Sequence, residues 1–398
     1  MPQVKTGLEQ LLARPDQYLK NKRFGLLANQ TSVTPDLTPS TRLLYDLPIG
    51  ELVKLFAPEH GFYGVAQDME HVTHETDPAT GLSIFSLYGE DEGSLTPDAA
   101  LFDGLDAVIY DIQDIGSRYY TFVYTLANCM QTAGKAGVEV IVLDRPNPIN
   151  GIQLEGNIVQ DGFFSFVGQY PLLTRHGMTA GELAVMFRDH FKIDCELTIL
   201  QMEGWQRSMW FDETGLPWVF PSPNMPTLDT ATVYPGMCLF EGTLLSEGRG
   251  TTKPFEQIGA PGIDGFTLAE TLNKVDLPGI KFQPCKFKPK FQKHGGLVCS
   301  GVFLHVTDRN KFQPWVTGLV MIETFARLFP EEFKWRTERY EYVTDRPAID
   351  LLYGNSGFRE WIDNGQPLDS NPNQHDEAEI KIFKDHREQS LLYQVVRP

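Results

Sequence analysis

Four short apolar runs in the first half of the chain each end in a cluster of polar residues. The runs, each with the cluster that follows it, are 24–28 before Asn29-Gln30-Thr31, 52–57 before Pro58-Glu59-His60-Gly61, 107–110 before Asp111-Ile112-Gln113-Asp114, and 138–143 before Asp144-Arg145-Pro146-Asn147-Pro148. Short apolar runs that alternate with helical segments are typical of βα units on a parallel sheet. In open α/β sheets, ligands bind just outside the carboxyl ends of the strands. The pattern therefore predicts one polar site assembled from separate loops, as in an enzyme.

Segments with helical spacing surround these runs. They are residues 7–20, 41–47, 119–137 and 179–191. The third segment ends at Gly137, a common helix stop, and the fourth opens with Thr179 and Glu182 in the spacing of a capping box. A further strand is predicted at 196–202. Together these elements predict an α/β fold with a doubly wound, mainly parallel sheet.

The character of the chain changes after residue 205. Residues 210–262 are rich in Pro, Gly, Trp and Phe and have few periodic segments, and so long a loop region in a compact chain is usually functional. A helix near 266–274, a strand at 300–307, a helix at 315–328 and a final apolar stretch, expected to pack as a strand, follow. We therefore expect two domains, 1–229 and a smaller α+β domain at 230–398.

Composition narrows the class of protein. At 398 residues the chain is long for a single core, which favours two domains. The net charge of −18 argues against nucleic acid or an anionic membrane as partner, because both would repel an acidic surface. The five cysteines form no C-x-x-C pair and are typical of reduced, buried thiols. The first residues lack the pattern of a signal peptide, so we expect a cytoplasmic protein, or an exported one if a leader was removed.

Several common motifs are absent from the sequence. No G-x-G-x-x-G follows the opening strand, and neither a P-loop nor a G-x-S-x-G elbow occurs, so nucleotide chemistry and serine hydrolysis lose support. His71 and His74 have the spacing of a metal pair but no matching third ligand, and a surface loop is the better interpretation. We expect neither a metal nor a cofactor.

Glu59 and His60 are the strongest candidates for chemistry. A carboxylate and an imidazole side by side at a strand end can donate and accept protons near neutral pH. The adjacent Gly61 allows a sharp turn or a close approach to a ligand. The alternative is a solvated turn with a charged pair, but the place at the edge of the sheet favours a functional role.

The cluster after the third run is the second candidate. It places Asp111, Gln113, Asp114, Arg118 and Tyr119 at one strand–helix junction. A structural role for Asp111, as a partner of loop backbone, and for Asp114, as a helix cap, is as plausible as a functional one. The guanidinium of Arg118 could bind a substrate carboxylate through two parallel hydrogen bonds.

The first and fourth strands end in candidates for substrate binding, Asn29 and Asn147. Two prolines fix the loop that holds Asn147, so its polar groups are held in place. The pair Asp144–Arg145 in the same loop is more typical of a structural ion pair than of a catalytic one.

The loop-rich region supplies a third set of candidates. They are Asn224, Glu241, Glu247 and Arg249, with Trp205, Trp210, Trp218 and Phe220 as a possible stacking wall. Aromatic residues more often belong to a core. A cleft of aromatic rings and carboxylates nevertheless suits sugars, which present apolar C–H faces and many hydroxyls.

At this level of detail the chain resembles the exo-β-N-acetylmuramidase family, the NamZ group. The motifs that carry the resemblance are PEHGF, SLYG, DIQDIGSRYYT, VLDRPNPI, RHGMTAGELA, PSPNMPTLDT, LFEGT, SEGRGTTKPFE and GAPGID, in this order. They run from about residue 25 to past residue 330, most of the chain. The resemblance implies a Rossmann-like N-terminal domain, a smaller C-terminal domain and an active site in the cleft between them. It also implies release of N-acetylmuramic acid from the non-reducing ends of peptidoglycan fragments.

The resemblance also implies roles for particular residues. Glu59 and His60 would be the leading catalytic residues, and the cleft would be lined by Asp111, Gln113, Asp114, Arg118 and Tyr119, with Asn224, Glu241, Glu247 and Arg249 closing it from the second domain. Beyond what the resemblance implies, our mechanistic hypothesis is that Glu59 would be the general acid and Asp114 or Glu247 the second carboxylate. The lactyl carboxylate of the sugar would bind Arg118 or Arg249.

Three routes of hydrolysis stay open at this point: inversion, retention, and attack by the sugar's own acetamido group. Two other functions also stay open. A non-catalytic sugar-binding protein would have the same two domains but would not need so many carboxylates at its strand ends. An amidase or esterase for wall fragments would need a nucleophile motif or a set of zinc ligands, and the sequence offers neither.

Overall fold

The first half of the chain forms a large β-sheet. The computed structural model describes residues 3–67, 70, 75–89, 92–365 and 377–394. The strands of this sheet, in chain order, are β1 (Arg23–Ala28), β2 (Glu51–Ala57), β3 (Glu75–Thr76), β4 (Ser83–Ser86), β5 (Ala107–Asp111), β6 (Glu139–Leu143) and β7 (Leu197–Leu200).

The sheet is mainly parallel, as the sequence predicts. Its strand order is β3-β4-β2-β1-β5-β6-β7, and within the described residues the two-residue β3 is the one antiparallel member. The four apolar runs are β1, β2, β5 and β6, and the predicted fifth strand is β7. The polar clusters that follow the four runs therefore lie along one edge, because parallel strands all end on the same side.

Helices cover both faces of the sheet. In chain order they are α1 (Gly7–Ala13), α2 (Pro15–Leu19), α3 (Ser40–Tyr45), α4 (Phe122–Ala136) and α5 (Ala180–Asp189). Along β5, Ala107 and Ile109 join the core beneath α1 and α3, whereas Val108 and Tyr110 join the core beneath α4 and α5. Burial on both faces explains why the strands are uniformly apolar, and it confirms the doubly wound α/β class.

The first predicted helix is divided in two. Helical spacing runs through residues 7–20, but α1 ends at Ala13 and α2 begins at Pro15. Proline has no backbone N–H, and its ring disfavours helical geometry in the preceding residue, here Arg14, so one continuous helix is excluded. The end of α4 is as predicted, because Gly137 adopts the left-handed conformation with φ +68°.

The second half contains a smaller sheet and six helices among the described residues. The elements in chain order are α6 (Leu228–Met237), β8 (Gln257–Ala260), α7 (Gly265–Val275), β9 (Ile280–Phe287), β10 (Cys299–Val306), α8 (Pro314–Leu328), α9 (Ala348–Tyr353), α10 (Gly357–Asp363) and α11 (Glu377–Ser390). The strands pair antiparallel in the order β8-β10-β9. The predicted elements α7, β10 and α8 are confirmed, and with them the α+β character of this half.

One hydrophobic core extends through both halves. It includes Val123 and Leu183 from the helices of the first half together with Leu239 and Phe325 from the second. Within the described residues, no helix is both long enough and apolar enough to cross a membrane.

The end of the chain returns to the first half. After α11 the described residues 391–394 form no strand, so the predicted terminal strand is wrong there, and α11 itself was not predicted. The guanidinium of Arg387 donates to the carbonyl oxygens of Gly151 (2.6 Å) and Gly177 (3.1 Å). The Tyr393 hydroxyl donates to Asp144 Oδ2 at 2.6 Å. The last part of the predicted domain 230–398 is therefore packed on the first half.

Candidate active site

A pocket opens at the carboxyl edge of the large sheet, beyond the end of β2. Its volume is about 500 Å³, part of it open to solvent. The first half contributes Glu59, His60, Tyr119, Tyr120, Thr121 and Phe122 to its walls. The loop-rich region contributes Ser222, Asn224, Tyr234, Glu241, Arg249 and Phe255. Tyr340 and Glu341 complete the walls from further along the chain.

Glu59 is held in a defined position in this pocket. It lies two residues beyond β2, and its side chain is almost completely buried. Its Oε2 accepts a hydrogen bond of 2.6 Å from the hydroxyl of Thr121 at the start of α4. Within the described residues no hydrogen-bond donor reaches Oε1. One carboxylate oxygen is thus fixed by Thr121, and no described residue donates to the other, which faces the pocket.

His60 adopts a strained backbone conformation beside it. Its φ is +70°, in the left-handed region that residues other than glycine seldom occupy, and such strain is often found at functional sites. The ring Nδ1 lies 3.0 Å from the carbonyl oxygen of Ala66, which can only accept. The proton of the neutral ring is therefore assigned to Nδ1, and Nε2 is the acceptor.

On the opposite wall, three side chains donate to Glu241, among them the thiol of Cys238 at 3.7 Å. Its Oε1 accepts from Arg249 Nη2 at 2.7 Å, and its Oε2 accepts from the Tyr340 hydroxyl at 2.8 Å. Burial raises the pKa of Tyr340, and the charge of Glu241 raises it further, so the phenol stays protonated and donates. Arg249 Nε also lies 3.5 Å from Glu247 Oε1, so two carboxylates flank the guanidinium.

Glu341 is a pocket carboxylate that sequence analysis missed. Its φ is +51°, and its Oε2 accepts from the Tyr88 hydroxyl at 3.3 Å. Burial raises the pKa of Tyr88, and the charges of Glu59 and then Glu341 raise it further, which means that both carboxylates lie near this phenol. Glu341 belongs to no recognisable motif. The available signal was an acidic residue between two tyrosines, Tyr340 and Tyr342.

Two family models together match most of the chain. The model described as the N-terminal part of exo-β-N-acetylmuramidase NamZ matches residues 24–229, and the model described as the C-terminal part matches residues 232–393. The chain belongs to the NamZ family. The resemblance carried by its motifs is thereby confirmed. The two matches meet at residues 229–232, next to the division predicted from the sequence.

Individual proteins similar to this chain extend this result. Peptidoglycan β-N-acetylmuramidase NamZ of Bacillus subtilis (strain 168) is 44% identical over 392 residues, which cover 98% of this chain and 92% of that protein. Two crystal structures of Bacteroides fragilis NCTC 9343 proteins, described as DUF1343 family, are also similar. One has a TM-score of 0.88 at 32% identity and covers 99% of this chain and 100% of its own. The other has a TM-score of 0.76 at 29% identity and covers 98% and 99%.

Five of the predicted site residues do not line the pocket of this NamZ-family chain but fix its edge. Asp111 is fully buried in an ion pair with Arg145 (2.7 Å). Gln113 donates to the carbonyl oxygens of Asp114 and Pro146. Asn29 accepts from Thr31, and Asn147 donates to Met178 and accepts from Ile149, all within or between loops. Glu247 is buried and binds Lys293 at 2.8 Å.

Asp114 is buried behind the pocket wall. Its Oδ2 accepts from the backbone N–H of Gly116 at 2.7 Å and lies 3.7 Å from His176 Nε2. Burial raises the pKa of Asp114 to about 7 and lowers the pKa of His176 to about 3, so the imidazole is neutral at physiological pH. The expected direct contact between Asp114 and substrate has no support in this geometry.

Arg118 was expected to line the cleft, and the structure corrects this. Its side chain is fully buried, and its guanidinium donates to the carbonyl oxygens of Asn157 (2.6 Å), Leu172 (3.0 Å) and Leu352 (2.6 Å). It joins the two halves of the chain through their backbones. Of the two predicted arginines, Arg249 is the one in the pocket wall, and Tyr119 and Asn224 are there as predicted.

The predicted aromatic wall is also wrong. Trp205 and Trp210 are core residues, Trp218 packs edge-on against Phe211, and none of these or Phe220 lines the pocket. The pocket aromatics are mainly tyrosines that no periodic pattern singled out. His71 and His74, considered as a metal pair, lie outside the described residues. Among the residues that are described, no cluster of three or more His, Cys, Asp or Glu side chains could hold a metal.

Proposed function

We propose that this NamZ-family chain is a glycoside hydrolase that releases N-acetylmuramic acid from the non-reducing end of peptidoglycan fragments in cell-wall turnover. The observation that carries the proposal is Glu59, buried at the pocket wall with one oxygen fixed by Thr121 and the other open to a ligand.

Glu59 is the general acid in this proposal. It protonates the glycosidic oxygen as the bond to the anomeric carbon breaks and an oxocarbenium-like centre develops. His60 Nε2, an acceptor, receives a hydrogen bond from a sugar hydroxyl, and the backbone strain at His60 fixes the direction of the ring.

Glu341 replaces Asp114 and Glu247 as the proposed second carboxylate. Those two are absent from the pocket walls, whereas Glu341 lines the pocket and shares the surroundings of Tyr88 with Glu59. Glu241 also lines the pocket, but Arg249 neutralises it. At the anomeric carbon, water either attacks directly and inverts the centre, or it opens an intermediate that Glu341 or the sugar's own acetamido group has first formed, with retention. The anomer first formed, read by proton NMR, separates inversion from retention, and an inverted product excludes both the acetamido route and a carboxylate nucleophile.

Arg249 is the proposed site for the lactyl carboxylate that distinguishes N-acetylmuramic acid from N-acetylglucosamine. Among the described residues that line the pocket, it is the one arginine or lysine. Contacts to Glu241 and Glu247 hold its guanidinium in a fixed orientation, which favours planar recognition of a carboxylate.

The test is hydrolysis of a chromogenic β-N-acetylmuraminide beside the matching β-N-acetylglucosaminide, with Glu59→Gln as the control. We expect release from the muraminide alone and loss of at least a hundredfold in kcat for the variant, on the scale of about 10²–10⁴ attributed to general acid catalysis. If neither substrate is cleaved, the glycosidase proposal fails. If Glu59→Gln keeps near-normal turnover, Glu59 is not the acid.

A further inference from the structure

A second, wider depression adjoins the pocket. This depression, which we call the trough, has a volume of about 1170 Å³, part of it open to solvent. Its walls include Gln67, Asn224, Gly250, Lys288, Lys290 and Phe291. Asn224 lines both the trough and the pocket, and Gly250 of the trough directly follows Arg249 of the pocket. A ligand longer than one sugar could therefore extend from the pocket into the trough.

The trough carries positive charge on an acidic protein. Lys286, Lys288, Lys290 and Lys293 fall within residues 286–293 of a chain whose net charge is −18. Lys293 has a structural role, because its Nζ forms an ion pair with Glu247 Oε2 at 2.8 Å. Lys288 and Lys290 are exposed, and within the described residues neither forms an ion pair. Two exposed cations beside an active site favour an anionic ligand.

The backbone around these lysines is fixed to the pocket wall. Lys290 N–H donates to the carbonyl oxygen of Gly250 at 2.9 Å, and Lys293 Nζ donates to that of Phe240 at 2.8 Å. Gly250 has φ +77°, and a Cβ there would lie 2.8 Å from the carbonyl oxygen of Phe291, so only glycine permits this approach. The ring of Phe291, 43% exposed, lies in the same segment and offers a surface for the apolar face of a sugar.

We infer that the trough binds the reducing-side part of the peptidoglycan fragment, with Lys288 and Lys290 pairing with the lactyl carboxylate of the second N-acetylmuramic acid unit. The inference rests on the proposed function, since it assumes that the terminal muramic acid occupies the pocket. Peptidoglycan alternates N-acetylmuramic acid and N-acetylglucosamine. In a strand whose stem peptides have been removed, the sugar next to the cleaved bond is therefore neutral, and the first anion beyond the pocket is the free lactyl carboxylate of the following unit.

The experiment compares three substrates: the chromogenic muraminide, the tetrasaccharide with two muramic acid units, and an analogue in which N-acetylglucosamine replaces the second muramic acid. For Lys288→Gln/Lys290→Gln we expect kcat/KM on the tetrasaccharide to fall about fivefold to tenfold relative to the analogue, as loss of two exposed charge pairs implies. The preference should weaken with added salt. Lys286→Gln, an equal charge change on a residue outside the trough wall, should leave the ratio unaltered.

Two outcomes would overturn the inference. Either the double variant shows the same ratio of tetrasaccharide to analogue as the unaltered protein, or it loses both substrates equally because the lysines only hold the loop. Failure of the proposed function would look different, since the unaltered protein would then not cleave the chromogenic muraminide. In that case calorimetric binding of the tetrasaccharide and the analogue to the full chain, with and without the lysine changes, still decides whether the trough selects the carboxylate.

Discussion

Thr121 occupies the N-cap position of α4, yet its hydroxyl does not cap the helix. A threonine at this position usually accepts a hydrogen bond from a backbone N–H of the first turn. Here the hydroxyl donates to Glu59 instead, and no side-chain cap is formed. A stabilising interaction has been replaced by one that fixes a carboxylate, which is expected of a positioning residue in an active site.

Replacing Thr121 by valine keeps the shape of the side chain and removes the donor. A hydrogen bond to a charged group contributes about 1.5–3 kcal/mol, so we expect kcat on the chromogenic muraminide to fall about tenfold to a hundredfold. Thr121→Ser keeps the hydroxyl and should restore most of the rate. Equal losses in both variants would mean that the methyl group of Thr121, not its hydrogen bond, matters.

Arg249 offers a test of substrate choice. Arg249→Lys keeps the charge but loses the planar pair of donors that suits a carboxylate. We expect the ratio of kcat/KM for the muraminide over the glucosaminide to fall by about tenfold, mainly through KM. A ratio equal to that of the unaltered protein would remove Arg249 as the site of the lactyl group.

Asp114 should make the stability of the fold depend on pH. Its pKa is about 7 in the folded chain against 3.8 for a free side chain, so between these values the folded state binds more protons than the unfolded state. The free energy of unfolding contributed by this group therefore decreases as pH rises from about 4 to about 7. The asparagine of Asp114→Asn does not titrate. Relative to the unaltered protein, the free energy of unfolding of this variant should therefore rise over that pH range, by on the order of a few kcal/mol. Urea unfolding at several pH values measures this, and parallel curves would contradict it.

At the scale of elements, the hydrophobic pattern predicted five strands of the large sheet but not the short β3 and β4, and it failed where that pattern is absent. β1, β2, β5 and β6 are continuous apolar runs, because both faces of the sheet are covered. α6 was not predicted because it contains Pro235 and is buried almost all round, so it has no polar face to give a helical period. α11 was not predicted for the opposite reason, because it is mostly polar and has too few apolar residues to show a helical period. Its buried residues are Phe383, Arg387 and Ser390.

The Tyr393 hydroxyl is one of the groups that join the chain end to the first half. Tyr393 OH donates to Asp144 Oδ2 at 2.6 Å and accepts from the backbone N–H of Met202 at 2.9 Å. Tyr393→Phe leaves both groups buried without this partner, so we expect a loss of about 1–3 kcal/mol in the free energy of unfolding. Tyr45→Phe, at an exposed tyrosine, is the matched control and should cost little. A Tyr393→Phe protein as stable as the control would show that the contact is dispensable.

At the scale of the whole molecule, the site was only partly predictable. The residues at the edge of the sheet, Glu59 and His60, follow a strand that the sequence reveals. Glu341 reaches the pocket through the packing of the second half, which no local pattern encodes. The same limit explains why Asp111 and Arg118 were wrongly placed in the site. Their charges suggested a ligand, but both are buried and bind partners within the chain.

The hydrophobic core that extends through both halves also bears on how long the protein survives. Where two domains have separate cores, a protease can cleave the peptide that links them while each domain stays folded. In this protein, separating the two halves would expose hydrophobic core on both of them, so neither half can detach without a large cost in free energy. Cleavage by a cellular protease at the junction near residues 229–232 should therefore have to wait for unfolding of much of the chain, which ties the protein's lifetime to its overall stability.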